Sequence, residues 1–362
     1  MKIAMIAPYP RFAGRPNGGV EAAVESLAWA IARRGIEVRV FDPFTGYIDT
    51  PQGLNHSVVR LTELKPWRAL LPCPPPNLAE EVRLWNPDII HVHLGAQLTR
   101  IQSPSVLTVH GFPHLDSKIR NSGLGGRIRS VALKRVFENG VRGATAVVAI
   151  SPETELAAGK AKVPSVSIPN PIAEDFFSVK RNPGKDFVAI GHIKRLKNQL
   201  QLIRAFGQFV GMGEEGDLAV VGAIADHEYF DRCKQEARAF SSRVRFLGPL
   251  PRVEIASLLG TARASVSTSL RETSSIAITE SFAANCPVVC LDAGTARQQI
   301  KDRRFGVVLG RNSAIQEMAF EMSRIGSDPA AGEPLRDSVA EQHPDEVARR
   351  TILLYQSLLA SN

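Results

Sequence analysis

The chain has 362 residues, 44% of them hydrophobic and 22% charged, with a net charge of +8. That length accommodates two domains with separate cores, and no apolar run approaches the ~18 residues a membrane span needs. The four cysteines, Cys73, Cys233, Cys286 and Cys290, show neither metal-site nor disulfide-framework spacing. The first residues form a strand-like run stopped by Pro8 and Pro10 and lack the layout of a signal peptide. These features together predict a soluble, cytoplasmic chain.

In chain order, Lys2 to Ala7 is a short apolar run followed by a Gly/Pro-rich loop. A helix is predicted from Val20 to Arg34, closed by Gly35, and a second strand from Glu37 to Phe41. This is one βαβ unit. A dinucleotide fingerprint requires G-x-G-x-x-G at this turn, and the loop carries Gly14, Gly18 and Gly19 instead, which argues against a nicotinamide cofactor. A proline-rich break (Pro72, Pro74, Pro75, Pro76) precedes a short helix from Leu78 to Trp85, with Asn77 placed to cap it. Trp29, Trp67 and Trp85 read as packing residues.

Further strands are predicted at Asp88–Val92, Val106–Val109, Thr145–Ile150 and Val166–Ile168, each followed by polar residues, as at His93 and His110. His91 and His93 lie on one face of their strand; they form a metal pair only if a third ligand exists, and none is at hand in sequence. Residues 176–186 are polar and contain Pro and Gly, the character of a linker. The βα alternation then restarts at Phe187 and runs to a last helix, Pro344 to Ala360. The reading is α/β: an N-terminal Rossmann-like domain over 1–175, a linker at 176–186 and a second such domain over 187–343. The helix of 344–362 is expected to pack back toward the first domain. Two doubly wound parallel sheets are expected to face an interdomain cleft with their carboxyl strand ends.

Within the second domain, the strand beginning at Ala264 ends in a polar loop, Arg271 to Ser275, that opens a helix at Ile276. Glu272 and Glu280 stand eight positions apart, about 12 Å at the helical rise. A nucleotide-sugar is of that length from ribose to sugar, and the free N–H groups of the first helical turn between the two acids suit a phosphate. The same spacing fits an amphipathic helix with two solvated glutamates.

The motifs taken in order resemble those of the retaining nucleotide-sugar glycosyltransferases of the GT-B fold, glycosyltransferase family four. They are Asn17-Gly18-Gly19, Pro87 to His93, Thr108-Val109-His110-Gly111, Ile168-Pro169-Asn170, Gly191 with Lys197, Val220-Val221-Gly222, Arg245 to Gly248, Glu272 with Glu280, and Cys286 to Val289. The resemblance implies that Glu272 and His110 act at the reacting sugar. It implies that Lys197, His192, Gly19 and the stretch Thr273, Ser274, Ser275 and Ile276 hold the donor diphosphate and sugar. Glu280, Gly222 and Leu247 then serve the nucleoside, and His93 and Gly18 the acceptor side.

The donor so implied is a UDP- or GDP-sugar, used without a metal ion or other cofactor, and the acceptor is a glycan or lipid-linked molecule of envelope or extracellular polysaccharide synthesis. The family's front-face displacement, in which the leaving phosphate helps deprotonate the acceptor, follows by the same resemblance. Three departures stand out: His192 replaces the usual arginine after Gly191, Thr273-Ser274-Ser275 replaces a glycine-rich loop, and Pro171 replaces a glycine. A sugar-nucleotide epimerase of the same shape and an inactive binding subunit are the competing readings.

Charge is uneven. Residues 1–170 carry 20 Lys+Arg against 13 Asp+Glu, whereas the remainder carries 24 against 23. From Lys118 to Arg142 seven basic residues face a single acid, Glu138, and apolar residues recur at near-helical spacing. This stretch is either a solvated surface helix or a docking face for anionic lipid, which makes the chain a peripheral protein on the inner side of the membrane. No recognition motif or aromatic interleaving supports a nucleic-acid partner.

Overall fold

Short strands made of Val, Ile, Ala and Leu, buried on both faces, are what an all-parallel sheet covered by helices requires. The computed structural model shows thirteen strands, most of them of this buried kind, among the residues it describes: 1–45, 53–61, 74–102, 104–120, 124–325 and 335–361, without the side chains of 117–120 and 124. Cys73 and Trp67 lie outside the described residues, as does the side chain of Lys118.

The chain divides into two compact units, one made of 1–16, 20–171 and 342–362, the other of 17–19 and 172–341. The first contains β1 (Lys2–Ile6), β2 (Glu37–Asp42), β3 (Ser57–Arg60), β4 (Ile89–Val92), β5 (Ser105–Thr108), β6 (Ala146–Ala149) and β7 (Ser165–Ser167). They pair in parallel in the order β3-β2-β1-β4-β5-β6-β7. Alternate residues of β1 enter opposite cores: Ile3 and Met5 pack with Leu27 and Ile31, whereas Ala4 and Ile6 pack with Leu78 and Trp85. The helix Pro344–Ala360 contributes Val347, Ala348, Leu354 and Tyr355 to the first of these cores.

The second unit contains β8 (Phe187–Ile190), β9 (Leu218–Val221), β10 (Val244–Gly248), β11 (Ala264–Ser267), β12 (Val288–Leu291) and β13 (Gly306–Leu309), in the order β10-β9-β8-β11-β12-β13 and again parallel throughout. Phe187 and Ala189 face one core and Val188 the other. The three described cysteines are free and buried, as core residues. In each unit the winding direction reverses beside the first strand, between β1 and β4 and between β8 and β11. Open α/β sheets present ligand sites at the carboxyl ends of the strands flanking that reversal.

Several local expectations are corrected. The helix Pro76–Trp85 begins two residues before Leu78, so Asn77 lies within its first turn and caps nothing; Pro75 is the capping position and makes no side-chain bond. A proline at the first helical position has its φ already set, which explains the earlier start. The basic stretch is split between two helices, Pro113–Arg120 and Leu124–Arg142, rather than forming one. Strand β7 is shifted one residue earlier than its apolar residues suggest. Residues 174–178, partly read as linker, form a helix whose Phe176 is fully buried in the second unit.

Candidate functional site

The reversal in the second sheet brings together the ends of β8 and β11. Strand β8 runs into Gly191, whose φ of +146° is open to glycine and strained for other residues. Gly222, at the end of β9, shares this conformation, and a Cβ there would lie 2.2 Å from the Gly191 carbonyl oxygen. The two glycines let the β8 and β9 ends approach. After Gly191 the chain forms a 3₁₀ turn, Arg195–Lys197, and Asn198 at φ +54° turns it into the helix Gln199–Gly211.

This turn is fastened to the loop that follows β11. The Leu270 amide donates to the Leu196 carbonyl at 2.9 Å, and the Thr268 hydroxyl donates to the carbonyls of Lys197 and Asn198. The result is an ion pair, Lys197 Nζ to Glu272 Oε1 at 2.5 Å, with both side chains largely shielded from solvent. On the other side Gly294, at φ +59°, lies where any side chain would strike the Glu272 carbonyl 2.8 Å away. The loop is thus clamped from two elements.

Beyond Glu272, Thr273 and Ser275 are buried and Ser274 is half-buried. Ser275 is the capping position of the helix Ile276–Ala283 and makes no side-chain cap bond. The first-turn N–H groups of this helix therefore lack intrahelical partners and carry the positive end of its dipole. Glu280, one turn before the helix ends, is buried, so the alternative of two solvated glutamates does not hold there. Burial pushes its carboxyl up to about 7, with the Arg252 guanidinium pulling the other way. Leu247, in β10, is half-buried beside the end of β9, where the Gly222 amide donates to the Gly248 carbonyl at 2.9 Å.

Asn17–Gly19 group with this second unit. The His192 ring nitrogen Nε2 is bonded to the Asn17 carbonyl, and a Cβ on Gly18 would come within 3.2 Å of that ring. A Cβ on Gly19 would come within 3.3 Å of the Ile276 side chain. Burial and the neighbouring Lys194 hold His192 below the ordinary histidine range, with Lys197 adding to the effect and the Asn17 bond opposing it. So Gly18, Gly19, His192, Lys197, Glu272 and Ile276 form one neighbourhood, while Gly222, Leu247 and Glu280 line the strand ends and helix beside it.

His93 and His110 belong to the first unit, at the ends of β4 and β5. His93 Nδ1 and His110 Nε2 share a hydrogen bond of 3.1 Å, with the rings stacked. His91 is packed rather than metal-bound: its Nδ1 meets the Tyr355 hydroxyl at 2.5 Å and its Nε2 the Thr108 hydroxyl at 2.7 Å. Burial holds His91 down to about 3 and His110 to about 4, and keeps His93 well below the usual range. All three imidazoles are neutral at pH 7. Among the described residues no group of three or more His, Cys, Asp or Glu side chains is placed to hold a metal ion.

The chain matches the "Glycosyltransferase Family 4" model over residues 17–176 and the "Glycosyl transferases group 1" model over 172–344. In structure it is similar to the sucrose-phosphate synthase of Thermosynechococcus elongatus, with a TM-score of 0.81, 18% identity and complete coverage of both chains. The chain is a glycosyltransferase of the GT-B type. The glycosyltransferase is also similar to Anabaena HepE, solved with UDP and glucose (TM-score 0.72, 19% identity, 99% and 100% of the two chains). A third similar structure is WaaG, a glycosyltransferase involved in lipopolysaccharide biosynthesis (TM-score 0.69, 14% identity, 99% and 98% of the chains). Among curated proteins no relative matches it.

The sequence reading of this glycosyltransferase missed Tyr355, Gly294 and the Thr268 hydroxyl. Tyr355 lies 264 positions from its partner His91, and no local pattern marks such a pair. Gly294 was detectable in principle, as a glycine just past the end of an apolar strand.

Proposed function

We propose that this glycosyltransferase transfers a sugar from a UDP- or GDP-sugar to a glycan or lipid-linked acceptor of polysaccharide synthesis, with retention of anomeric configuration and without a metal ion. The observation that carries the donor reading is the Lys197–Glu272 pair at the sheet reversal, beside the open first turn of the helix Ile276–Ala283. Cleaving a sugar–phosphate bond builds charge on the leaving diphosphate. A lysine and aligned N–H dipoles stabilise that charge in place of a metal ion. In this reading Lys197 and the Ser274–Ile276 amides hold the diphosphate, with His192, Gly19 and Thr273 alongside. Glu280 accepts from the ribose hydroxyls, Gly222 and Leu247 border the nucleoside, and Glu272 and His110 act on the sugar. His93 and Gly18 serve the acceptor. The UDP held by HepE supports a nucleotide donor.

The retaining course rests on the motif resemblance. The leaving phosphate takes the acceptor proton as the new bond forms on the same face. Among the described residues no helix is long and apolar enough to cross a membrane; in our reading a lipid-linked acceptor is met by docking at the membrane surface. The helix Leu124–Arg142 supports this: Ile128 and Val131 are 65% and 52% exposed, among exposed Arg127, Arg129, Lys134 and Arg135. Apolar anchors ringed by cations suit an anionic lipid surface, which supports our reading of a peripheral enzyme on the cytoplasmic, inner face of the membrane.

The deciding experiment measures thermal unfolding against a panel of UDP, GDP and their sugars. A nucleotide in hundredfold excess over its Kd should stabilise by about 2.7 kcal/mol. No stabilisation by any of them overturns the donor reading. Sedimentation with anionic and neutral liposomes tests the docking face; equal partitioning into both rejects it.

A further inference from the structure

The turn that carries Lys197 is closed by a polar side chain whose burial needs a reason. Gln199, the first residue of the helix Gln199–Gly211, is only 5% exposed. Taking a primary amide out of water is costly unless both its ends are bonded. Here Nε2 donates to the His192 carbonyl at 2.8 Å, and Oε1 accepts from the Lys194 amide at 3.4 Å, the longer of the two bonds. The carbonyl only accepts and the amide only donates. A carboxamide serves both at once; an ionised carboxylate or a thioether of similar length does not.

The two bonds close a ring of chain from His192 to Gln199, with Lys197 inside it. Ile193, between the two clasped residues, is bonded the other way. Its amide donates to the Ala223 carbonyl at 2.9 Å, and its carbonyl accepts from the Ala225 and Asp226 amides. His192 to Lys194 is thus held on one side by Gln199 and on the other by the loop after β9. Lys197 lies back over the start of this ring: a Cβ on Gly191 would stand 3.3 Å from its Cε and 3.6 Å from its Nζ. The Thr268 hydroxyl fixes the backbone of Lys197, as described above. Gln199 fixes the backbone against which the lysine side chain rests.

We propose that Gln199 is a positioning residue for the donor diphosphate. By clasping His192 and Lys194 it keeps the Gly191 backbone under the Lys197 side chain and so aims the ammonium. It acts through Lys197 and not on the substrate. This rests on the donor reading above and extends it to a residue outside the resemblance.

The test is a double-mutant cycle on nucleotide affinity, measured on the full chain by titration calorimetry with UDP and with GDP. Gln199→Met keeps the side chain close to its length and removes both bonds. In the wild-type background it should raise Kd about 10-fold, the upper value of a net hydrogen bond. In Lys197→Ala the same change should raise Kd by less than about twofold, because a clasp that works through Lys197 has nothing left to aim. A substitution that merely loosens the fold weakens binding by the same factor in both backgrounds, and that result overturns the proposal. Ile203→Val, a fully buried change in the same helix, should leave Kd unmoved; a loss equal to that of Gln199→Met also overturns it. If Gln199→Met fails to fold, Gln199→Glu runs the same cycle, since its carboxylate still accepts from the Lys194 amide and cannot donate to His192. Wild-type binding with an unchanged Kd in the Gln199 variant rejects the clasp alone. No binding of either nucleotide by the wild type rejects the donor reading, and the role of the clasp in it.

Discussion

Lys197 and Glu272 lie 75 residues apart in sequence and within 2.5 Å in space, lysine nitrogen to carboxylate oxygen. The lysine is held by a 3₁₀ turn and the glutamate by a loop pinned under Gly294, so the pair is set by two separate elements. A diphosphate arriving here competes with Glu272 for the same ammonium. Replacing Lys197 with Ala removes a charge-assisted bond worth about 1.5–3 kcal/mol, so the Kd for UDP or GDP should rise roughly 10- to 100-fold. Titration calorimetry checks this, and an unchanged Kd removes Lys197 from the donor site.

Glu272→Gln separates binding from catalysis. It keeps the shape of the side chain and releases Lys197 from its ion pair, so nucleotide affinity should hold or tighten. The transfer rate should fall on the order of 100-fold, the scale of removing one charge aimed at a reacting centre. Equal losses in affinity and rate instead assign Glu272 to binding. The measurement is kcat and KM for the donor, alongside nucleotide affinity.

Glu280 predicts a pH dependence of stability. Its folded-state value of about 7 lies above the ordinary 4.5 because burial disfavours the carboxylate. Its contribution is therefore fully present below about 4.5 and is lost as pH rises through 7. A shift of that size corresponds to a few kcal/mol, since one pKa unit is about 1.4 kcal/mol. Glu280→Gln stays neutral throughout, so its Tm relative to wild type should climb between pH 5 and 8. A constant Tm difference across that range shows that the carboxyl titrates normally.

How far this site could be read in advance depends on how local its causes are. The doubly wound sheets were evident because strands such as Phe187–Ile190 and Val288–Leu291 are apolar without alternation, as burial on both faces demands. The placement of Glu272 before a helix start was evident too. The burial of Glu280 was not: its helix, IAITESFA, is apolar or small on nearly every side, so no polar face marks where a glutamate points to solvent. The His91–His93 pairing on one strand face followed from the two-residue period, but the Tyr355 hydroxyl that makes His91 structural comes from the last helix. The division of the basic stretch into the helices Pro113–Arg120 and Leu124–Arg142 had no proline to mark it, only Gly123, Gly125 and Gly126 in the sequence as a weak signal.

Gly140 offers a stability test remote from the chemistry. Within the helix Leu124–Arg142, a Cβ at this position would lie 2.4 Å from the Ala96 carbonyl carbon and 2.5 Å from its oxygen. Backbone cannot yield as a flexible side chain does, so Gly140→Ala should destabilise by about 1–3 kcal/mol despite alanine's better helix propensity. Gly159, in the helix Pro152–Ala161, has nothing within 4 Å. There the same change should stabilise by up to about 1 kcal/mol. Urea denaturation of both variants gives the comparison, and shifts of the same sign contradict the packing argument.

His192 stands where the resemblance to the glycosyltransferase family implies an arginine after Gly191. Burial and the nearby Lys194 and Lys197 hold it below its ordinary range, so at pH 7 it adds no charge toward a phosphate. His192→Arg supplies a permanent charge and should tighten UDP or GDP binding at pH 7.5 by about 10-fold, the value of a modest charge-assisted bond. The sign of the pH effect follows. As pH falls through the depressed value, wild-type His192 gains its proton and the advantage of arginine shrinks. Protonation of the phosphate itself weakens both proteins alike and cancels in the ratio. The ratio of the two Kd values, followed by calorimetry as pH is lowered from 7.5, should therefore narrow toward unity. A ratio that stays constant shows that His192 does not contribute charge to the donor site.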